Sequence, residues 1–131
     1  MTGPQHPTAP DDRGDASTEF VLLVPVVMLL LLLIVQSALW MHAANVAESA
    51  AARGAAAGST HGHGSSDAET AASTAVSENG AALVAAAATA DHATVTVTVT
   101  VAVPHLVPFF PEVVGRTQSE PRERFVPETE R

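Results

Sequence analysis

From Phe20 to Val35 the chain reads FVLLVPVVMLLLLLIV, sixteen residues without a polar side chain. Gln36 and Ser37 interrupt the run, and Ala38, Leu39, Trp40 and Met41 continue it. As a helix, residues 20–41 rise roughly 1.5 Å each and reach about 33 Å, against a bilayer hydrocarbon core of roughly 30 Å. Trp40 falls where an interfacial aromatic belongs. The run therefore predicts one transmembrane helix, with the lipid bilayer as its first partner. Pro25 lies inside it, lacks a backbone donor and crowds the carbonyl of Val21. A mild kink near the N-terminal end is expected, although membrane helices also tolerate proline without consequence.

A secretory signal peptide is the competing reading of such a run. Its apolar region spans roughly 7–15 residues and follows positive charge. This run is longer, and Asp11, Asp12, Asp15 and Glu19 precede it against Arg13 alone. A cleavable site in the alanine-rich stretch after His42 would instead release a soluble product. Arg13 and Arg53 flank the run singly, so the positive-inside rule does not decide its orientation.

The remaining composition narrows the function classes. In 131 residues there are six basic side chains, all Arg, fourteen acidic ones and no Cys, for a net charge of −8. An acidic chain without a basic stripe does not suit nucleic acid, whose phosphates need neutralising. Absent cysteines exclude disulfides, zinc ribbons and thiol nucleophiles. No nucleophile–base pair, phosphate-cradling glycine loop or paired-carboxylate pocket can be assembled. The reading is a non-enzyme with no cofactor and no small-molecule substrate.

The residues entering the apolar run carry more information. Gly14, four residues and then Glu19-Phe20 is the spacing of type IV prepilin cleavage sites of the Flp kind. Cleavage after Gly14 would leave Asp15 as the N-terminus and Glu19 as its fifth residue. A carboxylate entering a bilayer is costly unless partnered, which makes Glu19 a functional candidate. The plainer reading places Glu19 at headgroup level, stabilised by the helix dipole by a few tenths to about 1 kcal/mol.

Glu19-Phe20, Pro25 and the stretch Ile34–Gly54 (IVQSALWMHAANVAESAAARG) together resemble the N-terminal signature of TadE-like proteins, minor pseudopilins of the tight-adherence (Tad) pilus system. The resemblance runs from Arg13 to Gly58. The Thr-Val stretch, Val103–Pro108 and Pro121–Phe125 are similar to the short exported part of actinobacterial-type members, with Glu120 departing from an expected glycine. The resemblance implies removal of residues 1–14 as a cytoplasmic leader by a prepilin peptidase. It further implies a helix over 15–57 held in the cytoplasmic membrane, N-terminus inside and C-terminus outside. Glu19 and Phe20 would set subunit register, with other pilin-like subunits and the Tad assembly platform as partners. A single-pass envelope binding protein unrelated to pili is the alternative.

Beyond the membrane the expected fold is small α+β. The helix continues through alanine-rich sequence, alanine being the strongest helix former. Ala43, Ala47 and Ala51, and likewise Ala50, Gly54 and Gly58, stand four apart. They either line a packing face for neighbouring helices or reflect composition. Residues 58–67, with His61 and His63, read as a Gly/Ser/His linker. Those histidines lack a third and fourth ligand at suitable spacing, even with Asp67 and Glu69 nearby, so no metal site is assigned. Ala68–Ala90 reads as a second alanine-rich helix interrupted at Asn79-Gly80, within a small exported αβ region, 68–115. Thr94–Val103 alternates strictly and predicts a strand with Val95, Val97, Val99, Val101 and Val103 on one face. Its partner is open: a segment near Phe125, or another chain. Prolines 104, 108 and 111 oppose further regular structure, and 116–131 reads as a charged, flexible tail.

Overall fold

The computed structural model describes residues 13–122. Helix α1 runs Arg13–Ser59 and helix α2 Ser65–Glu78. Three strands follow, β1 Leu83–Ala90, β2 Thr94–Ala102 and β3 Val113–Pro121. They form an antiparallel sheet in the order β1-β2-β3. This is the small α+β fold expected, with a long apolar N-terminal helix.

The apolar half of α1 and its alanine-rich half differ in what covers them. From Phe20 to Val35 nearly every side chain is exposed, so no part of the described chain shields them. From Ala43 onward one face is buried, through Ala47, Ala50, Ala51, Gly54, Ala55 and Gly58. That face packs against α2, β2 and β3. The four-residue spacing of small residues thus serves the chain's own core. A Cβ placed on Gly54 would lie 2.8 Å from the Ala68 carbonyl oxygen, 2.9 Å from Ala72 Cβ and 3.2 Å from Val97 Cγ1. On Gly58 it would lie 2.8 Å from Ala68 Cβ and 3.0 Å from Val95 Cγ1. These contacts fix direction as well as distance. Val95 meets α1 at Gly58 and Val97 meets it one turn lower at Gly54, so β2 descends α1 toward the apolar half.

The valine face of β2 is buried and its threonine face looks outward, as the alternation requires. Hydroxyl pairs cross from β2 to β3 on the outer face: Thr96–Ser119 and Thr98–Thr117, both at 2.9 Å.

Several expectations change. The second helix stops at Glu78 instead of continuing to Ala90. Asn79-Gly80 closes it, Gly80 taking φ +67, and Leu83–Ala90 becomes a strand. Alanine's helix propensity is outweighed there by a ladder of pairings along β2, from Leu83↔Val101 to Ala90↔Val95. Small side chains suit the site, because Ala86 and Ala88 lie packed against the core. The Thr-Val strand has two partners within the chain, β1 and β3, and is the centre of the sheet rather than an unprotected edge. β3 begins after the prolines and extends to Pro121, so residues 116–121 are ordered strand where a flexible tail was expected. The segment near Phe125 lies outside the described residues. The anticipated 58–67 linker reduces to the turn between Ser59 and Ser65.

Side chains from that region brace the turns. Asp67 accepts a hydrogen bond from the Gly64 N–H at 3.1 Å and so caps the start of α2. Glu69 accepts from the Ala88 N–H at 3.0 Å, covering a donor on the outer edge of β1. Arg122 donates to the His63 carbonyl at 2.7 Å and the Asp91 carbonyl at 3.3 Å, tying the helix turn to the β1–β2 turn.

Within that second turn the Asp91 carboxylate accepts from the Ala93 and Thr94 N–H groups at 2.8 and 2.7 Å. These bonds hold its pKa below the ordinary 3.8, because they favour the charged form. A depressed folded pKa contributes stability that is present above the ordinary value and lost as pH falls through the lowered one.

Two outcomes follow from this packing. Gly54→Ala removes a helix glycine, which at an exposed site would stabilise by about 1 kcal/mol. Here it should destabilise by about 1–3 kcal/mol through overpacking against the Ala68 backbone; a raised unfolding midpoint in detergent would contradict the close approach. Asp91→Asn should unfold at lower temperature than the parent at neutral pH, with the gap closing as pH drops below about 3.8. A gap independent of pH would show that the charge is not involved.

Candidate membrane helix and assembly site

The residues singled out for processing and register all lie on the first turns of α1. Gly14 and Asp15 are in helical backbone within a few residues of its start at Arg13. The first turn of a helix lacks intrahelical acceptors for its N–H groups and frays at little cost. Residues 1–12, most of the expected leader, lie outside the described residues. Glu19 is exposed, and Phe20 beside it is 65% exposed. Among the described residues neither has a hydrogen bond or ion pair to another side chain, and the apolar surface begins at Phe20 itself. Pro25 sits within α1, which stays helical on both sides of it. The missing proline N–H leaves the Val21 carbonyl without its usual helical donor.

Helix α1 is long and apolar enough to cross a membrane, and among the described residues it is the one helix that is. Among the described residues almost nothing covers its apolar half, the state expected of a lipid-facing surface. The two polar residues that interrupt it are satisfied within the chain. Ser37 Oγ donates to the Leu33 carbonyl at 2.7 Å. Gln36 is fully buried, its amide nitrogen donating to the Pro104 carbonyl at 3.2 Å. The Leu106 N–H donates to Gln36 Oε1 at 2.6 Å. Gln36 therefore fastens the β2–β3 loop to the top of the apolar run. One turn higher, Trp40 is half-buried and the Arg116 guanidinium of β3 stands 5.7 Å from its ring centroid.

Gln36 is the residue whose role sequence reasoning misses. A buried amide in an apolar run must find partners, and that much of the signal is visible. Its partners lie 68 and 70 residues away, and no local pattern connects them. His61 and His63 are exposed in the α1–α2 turn, and no cluster of three or more metal-ligating side chains forms among the described residues.

The bonds around Gln36 make a measurable claim. Gln36→Leu keeps the helix apolar yet leaves the Leu106 N–H and Pro104 carbonyl unpartnered, a loss of about 1–3 kcal/mol. The Leu106 amide should exchange with solvent markedly faster in that variant. Unchanged exchange would mean that Gln36 does not hold the loop.

The family model described as TadE-like protein matches residues 14–56. The match begins at Gly14, spans the apolar run and ends within α1, before α2 and the sheet. No curated protein and no solved structure matches the chain. Over residues 14–56 the chain matches the TadE-like family, a structural family of the Tad pilus system, and the matched stretch holds the helix long and apolar enough to cross a membrane.

Proposed function

We propose that the chain is a minor pseudopilin-like subunit acting in Tad/Flp-type pilus biogenesis, and not an enzyme. The observation that carries this reading is the Gly14-x-x-x-x-Glu19-Phe20 spacing placed directly before a helix able to cross a membrane, inside the TadE-like match. A generic membrane anchor has no need of that spacing.

In this reading a membrane prepilin peptidase cuts between Gly14 and Asp15 on the cytoplasmic side. The new α-amino group and Glu19 bear opposite charges at the membrane surface. A carboxylate that must approach lipid gains most from a partner there, and the amino terminus of a neighbouring subunit supplies one. Glu19 and Phe20 then set the register between helices, and Pro25 bends the helix near its cytoplasmic end. The α2–sheet body lies on the extracytoplasmic side and meets other pilin-like subunits and the assembly platform. The rival idea, an envelope protein that binds partners through an open edge of the Thr-Val strand, loses its chemistry because both edges of that strand are already paired.

Protein extracted from membranes of a host with an active prepilin peptidase should begin at Asp15 by N-terminal sequencing or intact mass. A chain that retains Met1 there would refute processing. Gly14→Ala should block maturation. Glu19→Ala should mature normally yet fail to co-purify with other pilin-like subunits, and wild-type recovery of those subunits would refute the register role.

A further inference from the structure

The β2–β3 loop presents apolar side chains at its tip that the rest of the described chain leaves exposed. Leu106 and Phe109 are exposed, Phe109 to 87%, and Pro108 and Phe110 flank them. A phenylalanine so bare on a small body marks a surface that meets something apolar. Between Pro104 and Pro111 the single ionisable side chain is His105.

The position of this tip is set by three observations. β2 descends α1, from Val95 at Gly58 to Val97 at Gly54 and onward, so its end points toward the apolar half. Gln36 then fixes the loop backbone at Pro104 and Leu106 to α1 at the top of the sixteen-residue apolar run. Val107 is buried and the Phe110 N–H donates to the Val107 carbonyl at 3.2 Å, which holds the tip in one shape.

The length of the run says what lies at that level. Sixteen residues rise about 24 Å, short of a hydrocarbon core of roughly 30 Å, and any tilt shortens their reach further. Glu19 limits the helix from sinking at the other end, since its charge resists entry. The level of Gln36 therefore falls within the membrane boundary, and the loop bound to Gln36 falls there too. The Pro104 carbonyl and the Leu106 N–H are paired with the amide while Leu106 and Phe109 are exposed, an arrangement suited to such a boundary.

From this we infer that the β2–β3 loop is a second membrane contact, inserting Leu106, Phe109 and Phe110 into the interface of the bilayer leaflet at the C-terminal end of the span. The loop and α1 then grip the bilayer at two points and fix how the sheet stands over the surface. The inference rests on α1 crossing the membrane.

The full chain, reconstituted in vesicles of phosphatidylcholine and phosphatidylglycerol, tests it. In a Trp40→Phe background a single tryptophan is placed by Phe109→Trp, by Leu30→Trp within the apolar run, or by His92→Trp at the far end of the sheet. Quenching by lipids brominated near the headgroup, and by lipids brominated deep in the acyl chain for position 30, is compared with quenching by aqueous iodide. The tryptophan at 109 should be quenched several-fold more by the lipid than that at 92, and protected from iodide. Lipid quenching at 30 with a tryptophan at 109 as iodide-accessible as at 92 overturns the inference and leaves the span standing. Absence of lipid quenching at both 30 and 109 overturns the span reading together with the inference.

Discussion

The close approach of α1 to the rest of the body depends on the absence of side-chain bulk at Gly54 and Gly58. Contacts of 2.8 to 3.2 Å to a built Cβ leave no room for even a methyl group without displacement of Ala68 or the valines of β2. Because the helix can come this near, Ala68 and Ala72 of α2 and Val95 and Val97 of β2 share one core. That core contains no fully buried aromatic and is built from alanine and valine. Its side chains are short, so cohesion comes from proximity and dense contact rather than from large buried residues. The same approach makes α1 continuous from membrane anchor to core element. The body is mounted on its anchor along a helix face, instead of hanging from a linker.

This mounting transmits geometry. The position of β2 along α1 determines where the β2–β3 loop arrives, and Gln36 holds it there with two hydrogen bonds. Such a mount sets the height of the β2–β3 loop along α1. It also places Arg116 over Trp40, joining the third strand to the same segment of helix. Hydroxyl pairs between β2 and β3 make that part of the outer face polar, and Glu69 occupies a donor on the β1 edge. An alanine- and valine-rich sheet with bare edges would be prone to pair with other chains.

Some of this is legible residue by residue. The apolar run marks a helix long enough to cross a membrane, and Thr94–Val103 announces a strand with a valine face through its period of two. Leu83–Ala90 reads as helix because local propensity is all that a run of alanines displays. Its partner valines begin several residues later in sequence, across a turn that Asp91 organises. β3 is hidden for a related reason: VVGRTQSEP has polar residues on one face and little bulk on the other, and only pairing with β2 makes it a strand.

What sequence by itself determined is therefore the apolar helix and the central strand, since each depends on chemistry within a short stretch. Tertiary structure decided the rest. It turned the small-residue stripe of α1 inward, because a face without bulk is filled by whichever surface can approach closest, and here the chain's own helix and sheet do so. It turned the alanines after Gly80 into an edge strand, because hydrogen bonding to β2 outweighs a weak local preference. It also gave Gln36 its purpose, because an amide in an apolar run is resolved only by partners that folding brings from a distant loop.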